Sequence, residues 1–112
     1  MNWKILQADS QIAKIVERSK EVPCLIFKHS ISCPISSMAK SRLEMQWDLA
    51  DQNVEVYYLD LINNRSVSNL IADTFDVRHQ SPQALLIKDG ICTFNTSHLD
   101  ISVASIKDAL TV

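Results

Sequence analysis

Two apolar periods alternate along the chain. Ile12, Ile15 and Val16 recur at helical spacing behind Asp9 or Ser10, either of which can cap a helix over roughly Gln11 to Lys20. Val22-Pro23-Cys24-Leu25-Ile26-Phe27 then forms a short unbroken apolar run, which predicts a buried strand over Cys24 to Lys28. Pro34 suits a first helical turn, where its missing N–H is no loss. Beyond it, Met38, Leu43, Met45, Trp47 and Leu49 mix with Lys40, Arg42, Glu44 and Asp48, predicting an amphipathic helix that runs to about Asp51. Val54 to Asp60 is the clearest strand, rich in β-branched and aromatic residues. Asn64 can cap a helix through Val67, Leu70, Ile71 and Phe75. Ala84 to Ile87 and Ile91 to Phe94 read as strands joined at Lys88-Asp89-Gly90, a hairpin turn that holds the chain's single glycine. A last helix, roughly Ile101 to Leu110, turns Ile101, Ala104, Ile106 and Leu110 largely inward.

The order is therefore helix, strand, helix, strand, helix, strand, strand, helix, with no repeat and no linker. Strands alternating with helices give a parallel pair through a right-handed crossover, and the hairpin adds an antiparallel edge. The expectation is one α/β domain over residues 1–112 with a thioredoxin-like fold: a central mixed four-stranded sheet flanked by helices, with an extra N-terminal helix. Val77 to Gly90 resembles the thioredoxin stretch in which a cis-proline opens the third strand beside the active cysteine. That resemblance implies a cis Ser81–Pro82 bond.

Composition narrows the function. A chain of 112 residues can bury a core without metal or disulfide staples. Its formal charge of −2 argues against a general nucleic-acid binder, which needs a basic face. No apolar run approaches a membrane span, and Met1-Asn2-Trp3-Lys4 does not open a signal peptide, so a cytosolic protein is expected. Three cysteines cannot complete a disulfide framework, and the cytosol would keep them reduced. Cys24, Cys33 and Cys92 lie far apart, and His29, His79 and His98 complete no ligand spacing, so no metal site is expected.

The chemistry concentrates at Cys33-Pro34-Ile35-Ser36, a strand-to-helix junction. A thiol just ahead of a helix meets the positive end of the macrodipole and unpaired backbone N–H groups, and both favour thiolate. Ser36 stands where a dithiol motif has its second cysteine; its hydroxyl can donate to the thiolate but cannot close a disulfide. Cys24 begins its strand and Cys92 follows the hairpin, so both should lie some 15–20 Å or more from Cys33. They read as small buried hydrophobes. A dithiol site expels its captured partner internally, whereas a monothiol site keeps the captured sulfur until an external thiol arrives. Such a site suits removal of a small thiol cap better than net reduction of protein disulfides.

The block Leu25-Ile26-Phe27-Lys28-His29-Ser30-Ile31-Ser32-Cys33-Pro34-Ile35-Ser36-Ser37-Met38-Ala39 resembles the monothiol bacilliredoxins of Gram-positive bacteria. The likeness runs from Trp3 through the terminal helix, with Ser32 replacing the family's threonine before the cysteine. It implies that Cys33 attacks the bacillithiol sulfur of a protein mixed disulfide and holds bacillithiol until a second thiol frees it. Bacillithiolated proteins and bacillithiol are the implied partners, with bacillithiol as co-substrate and no tightly bound cofactor. Phe27 stands where thioredoxins carry a buried acid six residues before the cysteine. Pro34 replaces the glycine of cluster-binding monothiol glutaredoxins, which points away from iron–sulfur clusters.

Around Cys33, substrate contacts are expected from Pro34, from Ser81 and Pro82, and from the charges of Lys28 and Arg78, with His29 and His79 adding to an electropositive site. Strand alternation puts Lys28 and His29 on opposite faces, so at most one of them faces the site. The backbone of Ser81 can pair with bound substrate as an added strand. Trp3 and Trp47 are expected in the core, and His98 on the surface. Two other readings stay open: exchange with another low-molecular-weight thiol, glutaredoxin- or isomerase-like, and a non-catalytic binding module in which Ser36 marks lost redox function.

Overall fold

The computed structural model describes residues 1–111. Its elements are β1 (Lys4–Leu6), α1 (Ser10–Arg18), β2 (Cys24–His29), α2 (Pro34–Gln46), β3 (Glu55–Asp60), α3 (Arg65–Phe75), β4 (Gln83–Lys88), β5 (Ile91–Ser97), a single 3-10 turn (His98–Asp100) and α4 (Val103–Leu110). The sheet has five strands in the order β1-β3-β2-β4-β5. The fifth strand corrects the expected four. β1 pairs parallel with β3, Lys4 opposite Tyr57 and Leu6 opposite Leu59, but only Leu6 is buried, so three residues leave no readable period.

β2 is the spine of the sheet. It runs parallel to β3 and antiparallel to β4, and all six of its residues are buried, which is why its sequence is a continuous apolar run with no alternation. Alternation survives in where the side chains go. Cys24 and Ile26 join a core with Ile12 and Ile15 of α1 and Val67, Ile71 and Phe75 of α3. Leu25 and Phe27 join a second core with Ala39 and Leu43 of α2 and Val103 and Ile106 of α4. Helices thus cover both faces of the sheet, and consecutive β2 residues serve opposite layers.

The hairpin turn works as its sequence suggests. Asp89 and Gly90 both have positive φ, 52° and 77°, as a two-residue turn matched to strand twist requires. Gly90 N–H donates to Ser19 Oγ at 2.8 Å, fastening the turn to the end of α1.

Two boundaries and one inward face differ from expectation. α2 ends at Gln46, where Trp47 turns extended, so the helix stops five residues short of Asp51. Its inward stripe is Ser36, Ala39 and Leu43, while Met38 and Met45 are exposed. The last helix starts at Val103, which is buried in place of the exposed Ala104.

Candidate active site

β2 delivers the chain to the site and α2 carries it away. Cys33 is the N-cap of α2, extended at φ −108° and ψ 117°, with Pro34 in the first turn. Its backbone N–H donates to Ser30 O and its carbonyl accepts from Ser37 N–H, both at 3.1 Å, which fixes the Cα–Cβ direction at the helix start. The side chain is half-buried, and exposed Ile31 and Ile35 flank it in sequence.

Ser36 has a different job from the one its sequence position suggests. Its side chain is fully buried. Oγ accepts from Ser30 N–H at 3.0 Å and lies 2.7 Å from His29 Nδ1. Burial pushes the His29 pKa down, keeping the ring neutral, so the hydroxyl can donate to Nδ1. Among the described residues, no hydrogen bond joins Ser36 to the Cys33 thiol. The expectation of a hydroxyl aimed at the thiolate is corrected: Ser36 closes the 29–36 turn that presents Cys33. His29 is its partner in this, stacked on Phe27 and tilted against Tyr58 at ring separations of 5.9 and 5.5 Å. Strand alternation was the available signal, since it sends residue 29 to the α2 face along with Leu25 and Phe27.

Lys28 goes the other way, and its expected role is corrected too. Its side chain is completely buried under α3, with Nζ donating to Ser68 O at 3.3 Å and lying 3.2 Å from His79 Nδ1. Loss of water pulls its pKa down to about 8. Being buried, it presents no charge to a substrate. Nor does the buried His29; Arg78 lies exposed in the loop before β4.

Pro82 arrives at the same end of the sheet. Lys28 pairs with Gln83 across β2 and β4, so Pro82 sits level with His29, where β2 exits toward Cys33. The Ser81–Pro82 peptide is cis. Gln83 braces the loop, its Nε2 donating to Arg78 O at 3.0 Å and its Oε1 accepting from Gln80 N–H at 3.3 Å. Pro82 O accepts from His98 N–H at 3.0 Å.

The remaining thiols lie at the opposite end. Cys24 and Cys92 both stand opposite Ile87, on its two flanking strands. Five residues of β2 separate Cys24 from His29, a rise of roughly 16 Å. Burial drives the Cys24 pKa up to about 11 and raises that of Cys92. All three cysteines are free. Cys24 and Cys92 are two strands apart, roughly 10 Å, beyond the reach of a disulfide.

Comparison with known proteins bears on the family and the fold. The family profile described as monothiol bacilliredoxin BrxC matches residues 4–106. A solved protein assigned as an oxidoreductase with a thioredoxin fold is 32% identical over 96% of this chain and 92% of that one, with a TM-score of 0.82. Thioredoxins from Fasciola hepatica (17% identity, 96% of each chain, TM-score 0.72) and Malassezia sympodialis (13% identity, 98% of this chain and 89% of that one, TM-score 0.75) share the fold.

Proposed function

The chain belongs to the monothiol bacilliredoxin family and has a thiol redox role; from that premise we propose that Cys33 strips bacillithiol from cytosolic proteins. The Cys33 thiolate attacks the bacillithiol sulfur of a protein–bacillithiol disulfide. One S–S bond breaks and another forms, and the departing protein thiolate takes up a proton. A second bacillithiol thiolate then attacks the sulfur held on Cys33, giving bacillithiol disulfide and free Cys33. The two electrons that restore the protein thiol come from two bacillithiol molecules.

The observation that carries this reading is the isolation of Cys33. It is a half-buried thiol at a helix start, with serine three residues on and every other thiol at the far end of the sheet. A captured small thiol has no internal competitor, so an external one must release it. Arg78 is suited to a carboxylate of bacillithiol. Ser81 offers backbone to an extended client segment, at the end of the sheet where Pro34 and Pro82 also lie. Bacillithiol is co-substrate, and the reading needs no tightly bound cofactor.

The test is a stoichiometric incubation of the protein with a bacillithiolated substrate protein, without added thiol, followed by intact mass. One bacillithiol should move to this chain and the substrate should emerge as free thiol; added bacillithiol should then strip the adduct. Equal transfer from glutathione or coenzyme A caps would instead favour a general thiol exchanger. A substrate that keeps its cap would favour a binding module.

A further inference from the structure

We infer that Lys28 and His79 form a buried latch that positions the 77–82 loop, and with it Ser81, for thiol exchange at Cys33. This rests on the exchange reading above and adds two positioning residues to it.

A lysine with no exposed surface inside an α/β layer needs a reason, because burying an ammonium is unfavourable unless acceptors replace its water. Lys28 has two, and they belong to different elements. One is Ser68 O, within α3. The other is His79 Nδ1, in the loop that α3 releases at the left-handed Asp76. Ser68 Oγ lies 3.4 Å from the same nitrogen. Lys28 therefore ties β2, α3 and the loop together at one point, two residues before Ser81 and one strand-pairing row from Pro82. Gln83 holds the loop to its own strand, and His98 holds Pro82 O; among the described residues, Lys28 is the one that holds it to β2 through a side-chain hydrogen bond.

The latch also has a chemical condition. His79 Nδ1 can accept from an ammonium only while the ring is neutral, with its proton on Nε2. Desolvation keeps it so, helped by the two positive charges that bear on it, Lys28 from β2 and Arg65 from α3. His79 is an exposed residue, so a proton can reach it. Protonation turns an N–H toward the Lys28 ammonium, and the contact becomes repulsive.

The test compares two rates at Cys33: alkylation by iodoacetamide, a reagent too small to need the loop, and exchange with a peptide carrying a bacillithiol mixed disulfide. Lys28→Met should lower the exchange-to-alkylation ratio about tenfold near neutral pH. His79→Asn, which keeps an acceptor where Nδ1 stood but cannot titrate, should retain the wild-type ratio. As pH falls below 6.5, the ordinary histidine value, the ratio should drop in the wild type and stay flat in His79→Asn. This second comparison does not depend on Lys28→Met folding. A Lys28→Met ratio equal to wild type, or identical pH profiles for wild type and His79→Asn, overturns the latch alone. Wild-type protein that is alkylated but exchanges with no bacillithiolated peptide overturns the exchange reading, and the latch with it.

Discussion

The two ends of the sheet hold the same side chain in opposite circumstances. At the Ile87 end, Cys24 is sealed between α1 and α3, and Cys92 packs against the same core. Both thiols are pushed upward in pKa by burial. At the Pro82 end, Cys33 caps a helix on a turn held by His29, Ser30 and Ser36. Placement, more than residue type, separates a packing thiol from one available for chemistry. It also sets what that chemistry can be, because roughly 16 Å of strand keeps the two ends from meeting.

The largest test of this contrast puts a second thiol at the open end. Ser36→Cys places it one helical turn from Cys33, within disulfide reach. A captured bacillithiol should then leave without external thiol, more than about a hundredfold faster than from the wild type. Stopped-flow mixing with a bacillithiolated peptide, read by quenched mass analysis, follows it. A wild-type-like adduct lifetime would mean that distance between thiols does not govern release.

Ser36→Ala probes the turn itself. It leaves the buried His29 Nδ1 and Ser30 N–H without their partner, so about 1–3 kcal/mol of stability should be lost in urea unfolding. Cys24→Ala, at the sealed end, removes one buried sulfur and should lose about 1 kcal/mol. Its exchange rate at Cys33 should not change. The first substitution thus disturbs the site's scaffold and the second only the core.

The smallest effect is in pH. The buried ring of His29 has a lowered pKa in the folded protein, so the unfolded chain takes up its proton first, near 6.5. The His29 contribution should be level above that value and fall as pH drops below it toward the folded pKa. His79 acts with the same sign. Urea midpoints across this range should slope less in His29→Asn than in wild type.

Much of this layout was legible in residue pattern, because each major element announces itself physically. The β2 run is apolar throughout because both of its faces are covered, and Pro34 and Asn64 mark the helices that follow β2 and β3. β1 was not legible: three residues with one inward leucine look like any N-terminal tail, and only the open edge of β3 makes them a strand. Met38 and Met45 misled for a related reason. Hydrophobicity marked them as inward, but α2 packs through Ser36, Ala39 and Leu43 and leaves the methionines outside. Alternation correctly divided Lys28 from His29. It could not show that both faces at this end are closed, one by Ser68 and His79 and the other by Ser36, so that neither charge reaches the site.

The central claim is that a single thiol, at one end of the sheet, receives the cap. Intact-mass analysis after incubation with a bacillithiolated protein tests it most directly, on Cys33→Ala and on the Cys24→Ala/Cys92→Ala double variant. The double variant should gain one bacillithiol as the wild type does, and Cys33→Ala should gain none. Transfer to Cys33→Ala, or its loss in the double variant, would contradict the claim.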